Sequence, residues 1–398
     1  MRVDQITPAI RDGEDISKAV LVLQKIIGDL GCETEIFTET RPKEPRAKVL
    51  ELSSLGNERE NIIYHMYMGS QISKTLVDLK AKRKVLFYHG IIPPEYFENH
   101  PARIHLLNGY EELKTLRDQF AVAITTTKFH ERELQKAGYG QTMVLPLLVD
   151  LNEYDQEPDS HLMNEYDDNF TNILFVGRIT PNKKLEDTIL VFNYYHKKLN
   201  PKSRLFLVGS FSDHASYCQK LLTLIKELEI KNVFLTGRVS FKKLLAYYRL
   251  SKVFLCMSEY KGFSTPLIEA MYLKVPVIAF ARSAVPEVLG GAGYLIDDKN
   301  VRETAKLLDR IVIDQAEREE IISRQWERVT AFSPERVFPL YRKAIMEAFG
   351  YKTPEDSSKK IGSSHRHAFF TPLAGPVFPD YGNGGLSALM QIRKGWRR

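Results

Sequence analysis

Two successive series of short β-branched or apolar runs, each alternating with longer amphipathic stretches, constrain this chain more than any other feature. Alternation of that kind stacks parallel strands joined by helical crossovers. The first series opens with MRVDQITP, crosses a loop containing Gly13 and enters the helical pattern ISKAVLVLQKIIGDLG, which Gly31 is expected to end. ETEIFTE, NIIYHMY, KVLFYHG, AVAITTT and TMVLPLL follow as predicted strands. The second series, NILFVGR, RLFLVGS, NVFLTGR, KVFLCMS and VPVIAF, is more regular and predicts a second doubly wound sheet. Between the two, residues 152–170 hold seven acidic residues, no Lys or Arg, and no apolar period, and read as an interdomain connection. The expected organisation is an N-terminal Rossmann-like domain over 1–151, a linker over 152–170 and a second Rossmann-like domain over 171–333. A closing helix over 334–350 carries Pro339, expected to kink its first turns, and a basic, largely irregular tail runs from 351 to 398. A length of 398 residues suits two or three domains, each with its own core.

The formal charge of +6 is concentrated in that tail, where eight Lys/Arg stand against three Asp/Glu, so the folded body is close to neutral. This argues against a general nucleic-acid binder, which needs a basic face on its folded surface. Three cysteines without a CxxC pair suggest neither a disulfide framework nor a zinc site. The N-terminus lacks a basic segment followed by an apolar one, and no apolar run reaches the ~18 residues of a membrane span. The expected location is cytoplasmic, with peripheral contact at the inner face of a membrane as an option.

Paired open α/β sheets bind ligands at their carboxyl ends, so the cleft between the domains is the expected site. NILFVG is followed by Gly177-Arg178-Ile179-Thr180-Pro181-Asn182-Lys183, which sets two cations on a strand-to-helix loop. Backbone N–H groups and fixed positive charge acting on the same oxygens suit a diphosphate; the alternative is two solvated surface charges. No GxxxxGK[ST] and no strand-linked GxGxxG is present, which disfavours a P-loop ATPase and a standard dinucleotide dehydrogenase. The run Ser258-Glu259-Tyr260-Lys261-Gly262-Phe263-Ser264-Thr265-Pro266 leads into LIEAMYL, with Thr265 expected at the cap and Pro266 at the first helical position. Glu269 lies one turn inside, where it either accepts two ribose hydroxyls or simply complements the helix dipole.

From NILFVGRITPNK through LFLVGS, VFLTGRVS and KVFLCMSEYKGFSTPLIEAMYLKVPVIAF to AVPEVLGGAGYLI, residues 172–297 resemble the nucleotide-binding half of retaining glycosyltransferases of family 4. IIYHMYMGS, VLFYHGIIPPEYF and VLPLLVDLNEY resemble the N-terminal half of a bacterial branch of that family. The resemblance implies a GT-B fold of two facing Rossmann-like domains, with the final helix returning to the first. It also implies transfer of a hexose, with retention of configuration, from a nucleotide-diphosphate sugar to a saccharide or lipid-linked saccharide, and no further cofactor. Matched by position, Arg178 and Lys183 hold the donor diphosphate, Gly177 and Gly13 allow close backbone approach, and Glu269 binds the ribose. Gly262, Phe263, Ser264 and Thr265 approach the phosphates and sugar. His89 stands beside the transferred sugar, and His65 has a weaker claim on the acceptor side.

Two positions depart from the family pattern. Lys261 stands where the E-x7-E motif has its first glutamate, which puts donor identity in question, and the usual Gly-Gly turn is reduced to Asp12-Gly13-Glu14. Lys261 needs an anionic partner: Glu259, the donor diphosphate, or a carboxylate on an acidic sugar. No DxD motif offers a divalent-cation site, since Asp167-Asp168 lie in the linker and Asp297-Asp298 in a turn; the two cations are expected to replace a metal. Two rival readings remain: another GT-B enzyme such as a sugar-nucleotide epimerase or phosphorylase, and a catalytically weakened, partner-dependent homologue. Lys80, Lys82, Arg83 and Lys84, with the tail, are expected either to meet anionic lipid or to complement a helix C-terminus.

Overall fold

The computed structural model describes residues 1–11, 14–40 and 49–351. Gly13 and the tail from 352 onward lie outside the described residues, and so do the expectations placed on them. Seven strands form the first sheet: β1 (Val3–Ala9), β2 (Ile36–Thr40), β3 (Val49–Glu51), β4 (Glu58–Met66), β5 (Lys80–Tyr88), β6 (Val122–Thr125) and β7 (Thr142–Val144). All pair in parallel, in the order β3-β2-β1-β4-β5-β6-β7. The second sheet holds β8 (Thr171–Val176), β9 (Ser203–Val208), β10 (Val233–Gly237), β11 (Ser251–Cys256), β12 (Val277–Phe280) and β13 (Tyr294–Ile296). It too is wholly parallel, ordered β10-β9-β8-β11-β12-β13. The two doubly wound domains expected from the sequence are therefore present.

Parallel strands covered on both faces bury the side chains of their central stretches on either side, as in the last five residues of β5, and each face has its own core. Ile62, Tyr64 and Met66 of β4 pack with Leu86 and Tyr88 of β5 on one face. Ile63, Val85 and Phe87 pack on the other. The second sheet repeats this division, with Leu174, Phe254 and Cys256 on one side and Ile173, Phe175, Val253 and Leu255 on the other. The final helix, Pro334–Ala348, runs continuously through Pro339 and lays Val337, Tyr341, Ala344 and Ile345 against Val3, Leu23 and Phe87 of the first domain. Fully burying one such side chain contributes about 1.5–3 kcal/mol, enough to hold the returning helix there.

The sequence reading missed β3, whose three residues carry no periodic signal. Within residues 152–170, read as the interdomain connection, and at its border, a 3-10 turn Leu151–Asp155 and a helix Ser160–Glu165 bury Leu151, Tyr154 and Leu162 in the core of the second domain. The basic cluster lies along β5, where Lys84 Nζ donates to Leu76 O at 2.5 Å and Arg83 Nη1 to Ala348 O at 2.9 Å. Those carbonyls close two helices, so buried Lys84 and exposed Arg83 both complement helix C-termini, while Lys82 pairs with Glu60 at 3.3 Å.

Candidate active site

In each sheet the strand order reverses direction at one crevice, between β1 and β4 in the first domain and between β8 and β11 in the second. Such switch points are where open α/β sheets place ligands. Two loops flank the second crevice, residues 177–184 after β8 and 257–264 after β11, and Asn182 stitches them together. Its Nδ2 donates to Tyr260 O at 2.9 Å and its Oδ1 accepts from Thr180 Oγ1 at 2.8 Å. Its carbonyl accepts from Glu259 N at 3.0 Å. Gly177, at φ 150°, ends β8 against Gly209, where an added Cβ would lie 1.9 Å from the Gly177 carbonyl oxygen.

Three cations meet at this crevice. Arg178 is exposed, with Nη1 4.0 Å from Glu14 of the first domain. Lys183 sits in the 3-10 turn Pro181–Lys183. Desolvation first, and then the like charges of Lys261 and Arg178, push its pKa down to about 7. Lys261 is only 3% exposed. Its Nζ donates to Ser264 Oγ at 2.9 Å and lies 5.8 Å from the centre of the Phe175 ring, while its backbone N donates to Ser283 Oγ at 2.9 Å. Burial alone would raise the Cys256 thiol, but Lys261, the Ser258 hydrogen bonds and Lys183 bring it below its ordinary value. The expected option of Glu259 as the partner of Lys261 is overturned. Glu259 accepts from Lys299 at 2.6 Å and lies 3.7 Å from Lys184, so two other cations already neutralise it.

The helix after this loop spans Thr265–Tyr272, with Ser264 in the cap position and Pro266 second. The sequence placed the cap one residue too late. The Ser264 hydroxyl does not cap the helix, because it accepts from Lys261 instead, and Thr265 Oγ1 is buried without a partner. Glu269 is buried, with Oε1 accepting from Tyr154 at 2.5 Å and Oε2 from Tyr248 at 2.6 Å. Burial, followed by nearby Asp15 of the first domain, raises its carboxyl above the ordinary range. Each carboxylate oxygen keeps a lone pair for a further donor.

Across the cleft, His89 follows β5 and belongs to a buried chain of polar side chains. Gln5 Nε2 donates to Val20 O at 3.2 Å, so its Oε1 accepts from His65 Nε2 at 2.9 Å. The proton of His65 is thereby assigned to Nε2, and its Nδ1 must accept from His89 Nε2 at 3.0 Å. His89 is left with Nδ1 as an acceptor, and that atom is not among the buried, unpartnered ones. Desolvation holds both rings neutral, His65 down to about 3 and His89 well below its ordinary value. Stacking on Phe87, at 4.7 Å between ring centres, fixes the His89 plane.

The domains touch where the two halves of the site meet. A Cβ on Gly262 would come within 2.7 Å of His89 O, so only glycine lets the loop lie against the histidine backbone. Glu287 of the second domain accepts from the backbone N of Lys128 at 2.8 Å, at the start of helix Lys128–Lys136 of the first. The structure thus brings Arg178, Lys183, Lys261, Gly262 and Ser264 together and sets His89 behind Gly262. Phe263 turns away to pack with Phe332. Gln5, Tyr154, Tyr248 and Asn182 escaped the sequence reading. None of the four stands out by local pattern; even Gln5 lies beside Asp4 in a strand, VDQITPA, that mixes polar and apolar residues.

A groove of about 620 Å³ along the edge strand β10, lined by residues including Tyr166, Phe234, Arg238 and Tyr247, contains none of these site residues. Among the described residues, no helix is long and apolar enough to cross a membrane, and no group of three or more His, Cys, Asp or Glu could hold a metal ion.

Solved structures with this architecture include sucrose-phosphate synthase from Thermosynechococcus elongatus, with a TM-score of 0.71 and 19% identity over 88% of this chain and 100% of that one. HepE from Anabaena, in complex with UDP and glucose, has a TM-score of 0.65 and 16% identity over 88% of this chain and 99% of that one. At such identities the likeness shows the fold, which is GT-B. The amylovoran biosynthesis glycosyltransferase AmsD of Erwinia amylovora is 27% identical over 180 residues, 44% of this chain and 49% of AmsD. The chain thus matches about half the length of that relative. Residues 161–328, which include the Arg178–Lys183 loop, Lys261 and Glu269, match the family described as glycosyl transferases group 1.

Proposed function

We propose that the protein transfers a hexose from a nucleotide-diphosphate sugar to a saccharide or lipid-linked saccharide, with retention of configuration and no metal requirement. The observation that carries this reading is the convergence of Arg178, Lys183 and the N-terminus of helix Thr265–Tyr272 on the β8/β11 crevice, with His89 on the opposite wall. The match to the glycosyl transferases group 1 family supports the reaction class. The name of AmsD, which describes biosynthesis of amylovoran, supports a saccharide acceptor, and the UDP and glucose held by HepE support the donor class.

In this reaction the anomeric carbon's bond to the β-phosphate oxygen breaks while its bond to the acceptor oxygen forms on the same face. The acceptor proton passes to the departing phosphate. Negative charge grows on the leaving diphosphate, and fixed cations in a closed cleft stabilise that growth without reorganising. Arg178 and Lys183 supply the charge, Glu269 takes ribose hydroxyls on its remaining lone pairs, and His89 Nδ1 accepts from a sugar hydroxyl. The direct test incubates the protein with UDP-, GDP- and dTDP-sugars and a saccharide acceptor in EDTA. It follows nucleoside diphosphate release and product anomericity by NMR. An α-donor giving an α-product at full rate in EDTA is expected. No release from any donor overturns the activity, an inverted product overturns retention, and turnover restored only by Mg²⁺ or Mn²⁺ overturns metal independence.

The Gln5–His65–His89 chain makes a separate prediction. His65→Ala should lower kcat about tenfold with donor KM within twofold, because only the orientation and tautomer of His89 change. Gln5→Glu keeps an acceptor facing His65 Nε2 and should retain most activity. Full activity of His65→Ala would remove the chain from the mechanism.

A further inference from the structure

Lys261 raises a question that the reading of the cleft as a diphosphate site leaves open, and the answer rests on that reading. A lysine ammonium at 3% exposure has lost nearly all its water, and a buried charge needs a counter-charge. Among the described residues, no carboxylate lies within salt-bridge distance of it. Glu259, two positions away, is held by Lys299 and Lys184.

The route of the side chain decides between the remaining partners. The backbone at Lys261 is tied outward by its hydrogen bond to Ser283, and the neighbouring Gly262 lies against His89 O. The ammonium instead runs inward, to Ser264 Oγ and over the ring of Phe175, the penultimate residue of β8. It is near enough to depress both the Lys183 ammonium and the Cys256 thiol at the end of β11. It therefore lies between the ends of β8 and β11, on the Lys183 side of the site rather than against His89, where the transferred sugar is placed. By taking the Ser264 hydroxyl it also leaves the N-terminus of helix Thr265–Tyr272 without a side-chain cap, and Thr265 Oγ1 is buried and unpartnered beside it. Uncapped amides and a buried unpaired ammonium in one crevice are complementary to a phosphate group.

We propose that Lys261 is a third phosphate-binding cation, which selects for the nucleoside diphosphate leaving group rather than for an acidic donor sugar. A diphosphate esterified at both ends carries two negative charges, and cleavage of the sugar bond builds toward a third until the acceptor proton arrives. Arg178, Lys183 and Lys261 match the departed state better than the bound donor, which is where added binding accelerates a reaction. The charge reversal at the E-x7-E position then moves binding energy from the sugar to its leaving group.

The test is Lys261→Met, which keeps length and removes charge, with binding of UDP, GDP, dTDP and the matching monophosphates measured by titration calorimetry. Wild type should bind one diphosphate. In the variant that affinity should fall at least tenfold and that of its monophosphate less than threefold, while the unliganded protein melts at a higher temperature because an unpaired buried charge is gone. Proton linkage gives a second readout. Lys183 is depressed to about 7 in the free protein, and an anion restores its charge, so wild-type binding at pH 8 should take up protons and weaken as pH rises. Without Lys261 beside it, Lys183 is already more protonated and the uptake should shrink. Lys261→Arg retains the charge and should bind within threefold of wild type, which guards against misfolding of the methionine variant. Equal diphosphate affinity in wild type and Lys261→Met, or a loss confined to uronic-acid donors, overturns this proposal alone. Failure of the wild type to bind any nucleoside diphosphate overturns it together with the proposed function.

Discussion

Replacing Arg178 and Lys183 together by alanine should lower transfer by at least three orders of magnitude while the protein still folds. Each fixed donor to a developing oxyanion is worth about 10²–10³ in rate when the site excludes water, and the two act on the same diphosphate, so their losses compound only in part. The fold should tolerate the change. Arg178 is 56% exposed and its Nη1 lies 4.0 Å from Glu14, and removing Lys183 relieves a desolvated charge repelled by Lys261. Steady-state rates with saturating donor, read beside thermal melts, check both halves. A near-normal rate in a folded double variant would take the diphosphate away from this loop.

Glu269 should show the opposite balance, with stability and binding both lost in one variant and separated in another. Glu269→Ala removes the acceptor of two buried hydroxyls, Tyr154 at 2.5 Å and Tyr248 at 2.6 Å, and each unsatisfied hydroxyl costs about 1–3 kcal/mol. Tyr248 retains a longer bond to Pro266 O at 3.3 Å, so a total of about 2–4 kcal/mol is expected by denaturant unfolding. Glu269→Gln still offers an acceptor to one tyrosine and should unfold within about 1 kcal/mol of wild type. If the carboxylate holds ribose hydroxyls, nucleotide affinity should nevertheless fall about tenfold or more in the glutamine variant, since a charged acceptor is replaced by a neutral one. A glutamine variant that binds nucleotide as wild type does would assign Glu269 to packing the linker onto the second domain.

Much of this molecule was legible before any coordinates. The two series of apolar runs carry the two parallel sheets, because strands covered on both faces must be largely apolar in their buried stretches and the crossovers between them amphipathic. The loops bearing Arg178, Lys183 and Lys261, and the helix start carrying Glu269, were likewise legible, since a strand followed by a loop and a helix start places its residues at a sheet's carboxyl end. Even the alternative for the basic cluster, helix C-termini complemented by cations, was written in the sequence, although the helices concerned were not.

Only the tertiary structure could decide which charges find each other. Glu259 lies two residues from Lys261, yet it pairs with Lys299, forty positions away in the chain, because the packing of the elements brings Lys299 and Lys184 to it while the Lys261 side chain runs to Ser264. Ser264 could not be recognised as the cap position while its hydroxyl serves Lys261. Tyr154 and Tyr248 reach Glu269 from 115 and 21 positions away, and Gln5 reaches His65 from 60. Local periodicity reports which face of an element is apolar, and so it determines sheets and loops. The partner of a buried polar group is set by which elements pack together, and that is decided only when the chain has closed around it.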